Sequence, residues 1–344
     1  MLQHAANLGH AIVRRHIEDG EGNVKLPGWA PLVVLADAVV FLPVFLIVGY
    51  TLSKLIPAIA IVEDPNPPAY EPVALDESAA DQGPAALVPG KPITSSLRAT
   101  RRLLSSVAGW RAYFRGFVCA AVLAAAEGSL SQIFGSFLPL IPVGALLARL
   151  ALTQFGTAWT HIVMTAPTER KFYQRLPPFK KAFEATCFPL LAIWVADSAA
   201  VVIPLLVAQA LGLPIPRFGE EPTDPPQNFD GAAAWKSLVI FVVAIIIHFG
   251  AVVPTNVLLT RVQASLLPED EETIVPFDRS FGGKVEPAIV GGKGFVSMRD
   301  ALATFPVSSW VRIYKLYAKV IAVSFAAWLA FVAVLIPEFI LIKS

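Results

Sequence analysis

The sequence is poor in charged side chains. Asp, Glu, Lys and Arg make up only 15% of its 344 residues, whereas soluble domains average about 25%. Hydrophobic residues make up 55%, and the mean hydropathy is +0.62. A soluble fold of this composition would lack the polar residues to cover its surface, so a lipid bilayer is the expected environment. The net charge of +1 gives no bulk attraction to nucleic acid, which is therefore not an expected partner.

Cysteine and the common catalytic motifs are scarce or absent. Cys119 and Cys187 are the only cysteines, both lie in apolar segments, and no CxxC pair occurs. We expect buried reduced thiols and neither a zinc nor a redox site. The sequence also has no N-x-S/T sequon, P-loop, GxSxG or HExxH, and no serine has a His or acidic partner at a readable spacing. It predicts no enzyme, no cofactor and no metal.

Long apolar runs are what the sequence has instead. A bilayer core needs roughly 20 apolar residues per helix, and six runs reach that length: 29–62, 113–137, 143–166, 185–213, 235–267 and 316–342. The predicted fold class is therefore all-α, a polytopic bundle of six transmembrane helices. The first and fifth runs are longer than needed and contain Pro43 and Pro254, which predicts tilt or a kink.

Basic residues are concentrated in three of the predicted loops, at 63–112, 167–184 and 268–312. This asymmetry places all three loops on one side of the membrane and both termini on the other. The predicted organisation is an exposed tail over 1–28 followed by one membrane domain over 29–344. The stretches 63–92 and 268–294 are rich in Pro, Gly and acidic residues, so we expect both to be disordered.

A spacing recurs three times along the chain. Pro43, Pro167 and Pro254 each lie late in, or just after, an odd-numbered run, and an ionisable residue lies six positions before each: Asp37, His161 and His248. In addition, Ser96-Leu-Arg98 precedes Trp110 much as Ser297-Met-Arg299 precedes Trp310. The spacing favours three pseudo-repeats of two helices joined by a short amphipathic loop helix. The alternative is that prolines near membrane boundaries align by chance.

These residues resemble the mitochondrial carrier family, in which three such repeats carry Pro-x-Asp/Glu-x-x-Lys/Arg on their odd helices. Pro254, Asn256, Arg261 and Gln263 fall on that frame, with Leu259 at the basic position. Pro167 matches with Glu169, and only Pro43 remains of the first copy. The resemblance covers residues 30–340 in layout and implies a transport function. In that family the charged residues of the motif form a ring of salt bridges that gates the pore. Most of these positions are replaced in this sequence, so a complete ring is not expected.

Ionisable residues inside the apolar runs are costly and generally face a bundle interior or water. Asp37, Glu127, His161, Asp197 and His248 meet this criterion. The functional hypothesis places Asp37, His161 and His248 at one depth, with Asn256 and Arg261 also on the substrate path and the three prolines as kinks. The alternative is that these side chains only form interhelical hydrogen bonds that fix the packing.

Pro67-Pro68-Ala69-Tyr70 is a PPxY sequence in an acidic, proline-rich stretch. WW domains bind such segments because the polyproline II conformation is already extended. The motif resembles those by which membrane adaptors recruit ubiquitin ligases, although a stiff solvated linker also explains it. Binding would need a cytosolic loop, which favours the outer over the inner mitochondrial membrane, or an endomembrane.

Two functions follow from the sequence. The first is a carrier-like protein that moves a small anionic solute, and the second is a non-transporting adaptor whose Pro67, Pro68 and Tyr70 dock a WW-domain partner. The lipid bilayer is the expected surrounding in both.

Overall fold

The computed structural model describes residues 28–65, 92–137, 143–168, 170–213, 231–286 and 291–343. Its elements are helical, apart from one isolated antiparallel bridge between Thr165 and Thr273 within these ranges. Five helices are long and apolar enough to cross a membrane: Ala30–Val62, Leu97–Phe137, Phe179–Ala210, Ala234–Ser265 and Val307–Glu338. The chain is therefore a multi-pass α-helical membrane protein. The tail over 1–27 lies outside the described residues.

Within the described residues, five helices rather than the predicted six meet this criterion. The third predicted run, 143–166, forms two shorter helices, α4 (Val143–Ala151) and α5 (Thr153–Met164). Between them Leu152 has φ −97° and ψ 14°, which departs from helical geometry. The apolar length of this run is thus divided, so neither piece reaches the roughly 20 residues that a single spanning helix needs.

The remaining helices are numbered in chain order. Helix α1 is Ala30–Val62, α2 is Leu97–Ala108, and α3 is Phe117–Phe137. Helix α6 is Phe179–Ala210, α7 covers 231–265, α8 is Met298–Ala303, and α9 is Val307–Lys343. The short helices α2 and α8 begin directly after Ser96 and Ser297, the positions of the two Ser-x-Arg segments in the sequence.

Two of the long helices widen just before a proline. Ile47–Leu55 in α1 and His248–Val252 in α7 are π-helical, and Pro57 and Pro254 follow as the second residues of the next α-helical turns. A proline lacks the N–H for the usual backbone bond, and its ring clashes with the carbonyl four residues earlier. Both of those carbonyls lie inside the π-helical stretches, where the wider turn accommodates the ring. The two long helices in which a tilt or kink was predicted therefore each contain a π-helical stretch next to a proline.

The chain divides into two compact units, one formed by 1–48 with 321–344 and the other by 49–320. In the first, Phe331 packs edge-on against Phe41 and Phe45, with ring centroids 5.0 and 5.3 Å away. The carboxyl groups of Asp37 and Glu338 lie near each other in this unit. The apolar side chains of 30–46 are largely exposed, as expected for a surface that faces lipid.

The second unit has a buried centre built mainly on the end of α1. Leu55, Ile59 and Ile61 are almost fully buried, and they pack with side chains of α2, α5, α7 and α9. A smaller cluster joins α6, α7 and α8 around Val262 and Phe281. Burial of these side chains packs the helices of this unit against one another.

Part of the loop predicted to be disordered has a defined structure. Residues 268–286 are described, and Val275 and Phe281 in this segment are buried. Arg170 links the segment to the preceding basic loop through Asp270 and Glu271, at 3.2 and 3.4 Å. The segment thus packs on the helical unit. The other stretch predicted to be disordered is 63–92, and its residues 66–91 are not described by the structure.

Asp278 organises a tight turn in this segment. Its carboxylate accepts hydrogen bonds from the Ser280 amide and hydroxyl, at 2.9 and 2.6 Å, and from the Gly282 amide at 2.7 Å. Partial burial alone would raise the pKa of Asp278, but the hydrogen bonds from Ser280 and Gly282 favour the charged form and lower it overall. The turn is therefore most stable with Asp278 ionised.

We expect Asp278→Ala to destabilise the fold by about 1 kcal/mol at neutral pH, because the amide and hydroxyl donors lose their acceptor. A carboxyl whose folded pKa is lowered stabilises above its unfolded pKa of about 3.9 and loses that contribution as pH falls through the folded pKa. The difference in thermal unfolding between wild type and variant should therefore shrink below about pH 4. Glu286→Ala, at an exposed position of the same segment, is the control; an equal loss there would contradict the assigned role.

Candidate central cavity

The second unit has a half-open cavity of about 260 Å³. All five membrane-length helices and the α4–α5 pair contribute lining residues. The polar and charged side chains that line it include Ser53, Lys54, Glu127, Arg149, Thr153, Asn256, Thr260 and Gln263. A cavity at the meeting point of every long helix is the arrangement expected of a binding site within a helical bundle.

Lys54 reaches the cavity from the π-helical stretch of α1. The stretch Ile47–Leu55 is held by two side-chain bonds to the 113–116 turn, because Tyr50 donates to the Arg115 carbonyl and Thr51 donates to the Tyr113 carbonyl at 2.7 Å. Trp159 of α5 donates to the Tyr50 hydroxyl at 3.1 Å and itself lines the cavity. π-Helical turns often occur at functional sites, and here one of them carries an exposed, charged side chain that lines the cavity.

Arg149 and Glu127 face the cavity from the neighbouring helices α4 and α3. Arg149 forms a salt bridge of 2.8 Å with Asp197 of α6, with both side chains partly exposed. Glu127 interacts electrostatically with Arg149, Lys54 and Asp197. Charges within an apolar bundle are costly unless they are paired or hydrated. Their partial exposure and their grouping therefore give the cavity a polar, hydrated side.

Asn256 and Gln263 lie on the same side of α7. The Asn256 side-chain amide donates to the Val252 carbonyl at 2.9 Å, within the region loosened by Pro254. The Gln263 side-chain oxygen accepts from Thr160 at 2.7 Å, which fixes its orientation between α5 and α7. Hydrogen-bonding groups held in place in this way can select a polar solute by geometry.

The site residues predicted from the sequence separate in the structure. Among them Asn256 lines the central cavity, whereas His161 lines a different cavity of about 730 Å³ beside the basic loops. The His161 ring is buried and hydrogen-bonds to the Gln263 carbonyl at 2.9 Å. His248 packs against Phe249 and Tyr317, with ring centroids 5.7 and 5.9 Å away. His161 thus forms a hydrogen bond between α5 and α7, whereas the contacts described for His248 are with aromatic rings.

Asp37 and Arg261 also have partners of their own. Asp37 lies in the first unit, where it meets Glu338. Arg261 donates to the Ala301 carbonyl at 2.8 Å and to Thr304 at 2.9 Å. Its guanidinium is also sandwiched between two aromatic rings, those of Phe281 and Phe305, with centroids 4.8 and 5.0 Å away. Arg261 therefore positions the short helix α8.

The three prolines occupy different settings. Pro43 lies inside the α-helical part of α1 at Ala30–Leu46, and Pro254 follows the π-helical stretch of α7. Pro167 lies beyond the end of α5 at Met164, so it cannot kink that helix. The structural counterpart of Pro254 in α1 is Pro57. Glu169 and the PPxY residues Pro67, Pro68 and Tyr70 lie outside the described residues.

Sequence reasoning identified Glu127 and Asp197 as charges inside apolar runs but did not select them, and it passed over Lys54 and Arg149. The rule that intramembrane charges mark functional positions applies to all of them. The sequence does not give the rotation of each helix about its own axis. That rotation decides whether a charged side chain faces a cavity, lipid or a neighbouring helix.

A second cavity, of about 450 Å³, lies between α3, α5 and the 167–175 segment and is lined largely by apolar side chains. Its lining includes Val118 and Phe172, which are well exposed, so it opens on the outer side of the bundle. The smaller central cavity is the better candidate for a solute site because every long helix contributes to it. The chain matches no protein-family model, no curated protein and no solved structure.

Proposed function

We propose that this protein is a carrier-like transporter that moves a small polar solute through its central cavity. The observation that carries the proposal is the convergence of Lys54, Glu127 and Arg149 on a cavity lined by all the long helices. Internal cavities with charged linings in membrane bundles typically serve substrates or ions. The resemblance of the layout to mitochondrial carriers points to the same class of function.

The cavity size favours a small solute. A volume of 260 Å³ equals roughly nine water molecules at about 30 Å³ each. This space suits a small metabolite. The π-helical stretches next to Pro57 and Pro254 supply backbone irregularity on two of the lining helices, where a change of helix shape can open the cavity.

Filling the cavity tests the proposal. Ala124 and Ala125 of α3 are both exposed, but only Ala124 lines the cavity, and Ala125 does not line the 450 Å³ cavity either. In proteoliposomes screened with labelled small metabolites, we expect Ala124→Trp to lower uptake by about tenfold or more, because the indole occupies the solute volume. Ala125→Trp is the matched control and should retain uptake. Absence of uptake for every solute with the wild type would refute the carrier function.

The adaptor function remains a second proposal because it depends on the separate Pro67-Pro68-Ala69-Tyr70 motif. Tyr70→Ala should abolish capture of an isolated WW domain in a pull-down, since the ring fills the aromatic pocket of such domains. Unchanged capture would remove the adaptor hypothesis. A cysteine-labelling probe in the 63–92 loop distinguishes the settings, because cytosolic exposure is required for the adaptor.

A further inference from the structure

The charges around the central cavity are of both signs. Lys54 and Arg149 contribute two positive charges, and Glu127 and Asp197 contribute two negative charges. An anion site in a bundle is normally built with an excess of basic groups. The central cavity has as many negative as positive groups, unlike a simple anion site. This balance of charges argues against the purely anionic solute predicted from the sequence.

Two of these charges already neutralise each other. The Arg149 guanidinium lies 2.8 Å from the Asp197 carboxylate, in a salt bridge between α4 and α6. A solute carboxylate that approached Arg149 would have to compete with Asp197 for the same donors. We therefore assign this pair to holding the cavity wall and assign recognition to the two remaining charges.

Lys54 and Glu127 are those remaining charges. Within the part of the chain that the structure describes, neither forms a salt bridge with another side chain. They come from different helices, α1 and α3, and both line the same cavity. A purely anionic solute would meet the repulsion of Glu127, and a purely cationic one would meet that of Lys54, so a solute carrying both charges satisfies the site best.

The rest of the lining indicates the remainder of the solute. Ile61, Leu190, Ile193 and Leu259 supply an apolar wall, which favours a small hydrocarbon substituent over a third charge. Charged groups left without partners in such a site would be penalised by desolvation. A second carboxylate, as in a dicarboxylic acid, would find no second uncompensated base here among the described lining residues.

We infer that the central cavity recognises a small zwitterion, an amino-carboxylate with an apolar substituent, through Lys54 for its carboxylate and Glu127 for its ammonium group. This inference rests on the proposed carrier function but can be tested by binding alone. It replaces the anionic solute of the sequence-based hypothesis with a narrower class, because one positive and one negative group remain available.

Three matched probes isolate the two charges. L-valine carries both, 3-methylbutanoate has the same branched chain with only the carboxylate, and isobutylamine has it with only the ammonium group. Binding to the full-length protein in detergent would be measured by the shift in its thermal unfolding midpoint as each probe is titrated. We expect valine to bind roughly tenfold or more tightly than either analogue, since each charged hydrogen bond lost costs about that factor.

Two variants and a control assign the charges to residues. Lys54→Gln should weaken valine binding about tenfold and reduce the ratio of the affinity for valine to that for isobutylamine. Glu127→Gln should instead reduce the ratio of the affinity for valine to that for 3-methylbutanoate. Lys180→Gln, at an exposed position at the start of α6, keeps the same net charge as Lys54→Gln and should leave all three affinities unchanged. The opposite selectivity of the two cavity variants is a readout that a loss of folding cannot produce.

The outcomes separate this inference from the carrier function. Equal binding of valine and 3-methylbutanoate, or no binding of valine, overturns the zwitterion assignment. If proteoliposomes then take up a dicarboxylate, the carrier function is supported although the zwitterion assignment is wrong. If valine binds with the expected selectivity but is not taken up, the site assignment stands and the carrier function fails.

Discussion

Replacement of Arg312 by leucine is expected to destabilise the fold by about 3–5 kcal/mol, one of the largest effects of any single substitution in this chain. Arg312 lies near the start of α9, and its guanidinium donates to the Glu63 carboxylate at 3.1 Å. The side chains of both residues are buried, with 7% and 0% exposed. Removal of the arginine leaves a buried carboxylate without its counterion.

The surroundings of Glu63 explain why the pair is buried rather than hydrated. The same carboxylate accepts from the Ile93 and Thr94 amides, at 2.6 and 3.1 Å, and from the Thr94 hydroxyl. One acidic side chain therefore connects the end of α1 to the 93–95 turn and to α9. A buried ion pair of this kind contributes little beyond an apolar replacement of both partners, but it is costly to break on one side only.

Arg312 has a second task at the end of α1. It donates to the Ala60 and Glu63 carbonyls, at 3.1 and 3.0 Å, and these belong to the last turn of the helix, where carbonyls have no partner within the helix. Leucine at this position would leave those carbonyls unsatisfied as well. The planar guanidinium serves the carboxylate and the carbonyls together, which a lysine at the same position cannot do.

Unfolding of the detergent-solubilised protein, followed by tryptophan fluorescence during heating or titration with denaturing detergent, provides the measurement. Lys315→Leu, an exposed position one turn along the same helix, should change stability by less than about 0.5 kcal/mol. Adding Glu63→Gln to Arg312→Leu removes the stranded charge, so the double variant should lose less than the sum of the two single losses. Wild-type stability of Arg312→Leu, or strict additivity, would show that the pair is not coupled as described.

The sequence predicted the helical membrane fold well where apolar length alone decides. The run 29–62 became Ala30–Val62, and the run 316–342 lies within Val307–Lys343. Length could not predict the break at Leu152, because the apolar run continues through it. It also could not predict that residues 276–286 pack on the helices, since Phe281 is buried by a turn that Asp278 organises rather than by any helical periodicity.

The candidate site was less predictable, for a physical reason. A charge in an apolar helix has to find a polar neighbour, but one sequence does not tell which neighbour that is. His161 meets this requirement through the Gln263 carbonyl, and Arg261 through α8. Lys54 and Glu127 meet it by lining a cavity. The common spacing of His161 and His248 before a proline indicated similar positions along two helices without indicating the direction of either side chain.

The remaining large effect concerns the close contact between α3 and α4. A Cβ atom added at Gly144 would clash with the Ser131 carbonyl oxygen and would lie 2.8 Å from the Gly135 amide nitrogen. Both atoms belong to the backbone and cannot rotate aside. Small residues allow membrane helices to approach in this way, and much of the attraction between them is van der Waals contact that closeness makes possible.

We therefore expect Gly144→Ala to destabilise the protein by about 1–3 kcal/mol, as overpacking does, and Gly144→Leu to destabilise it further. Since Arg149 is carried by α4, separation of the two helices should also displace the cavity wall, so solute uptake should fall together with stability. Gly135→Ala is the matched control: Gly135 faces Gly144, but a Cβ at Gly135 itself would meet nothing within 4 Å. Alanine has a higher helix propensity than glycine, so Gly135→Ala should keep or raise stability. A comparable loss there would show that the effect is not specific to the contact at Gly144, and an unaffected Gly144→Leu would show that the two helices do not need to approach closely.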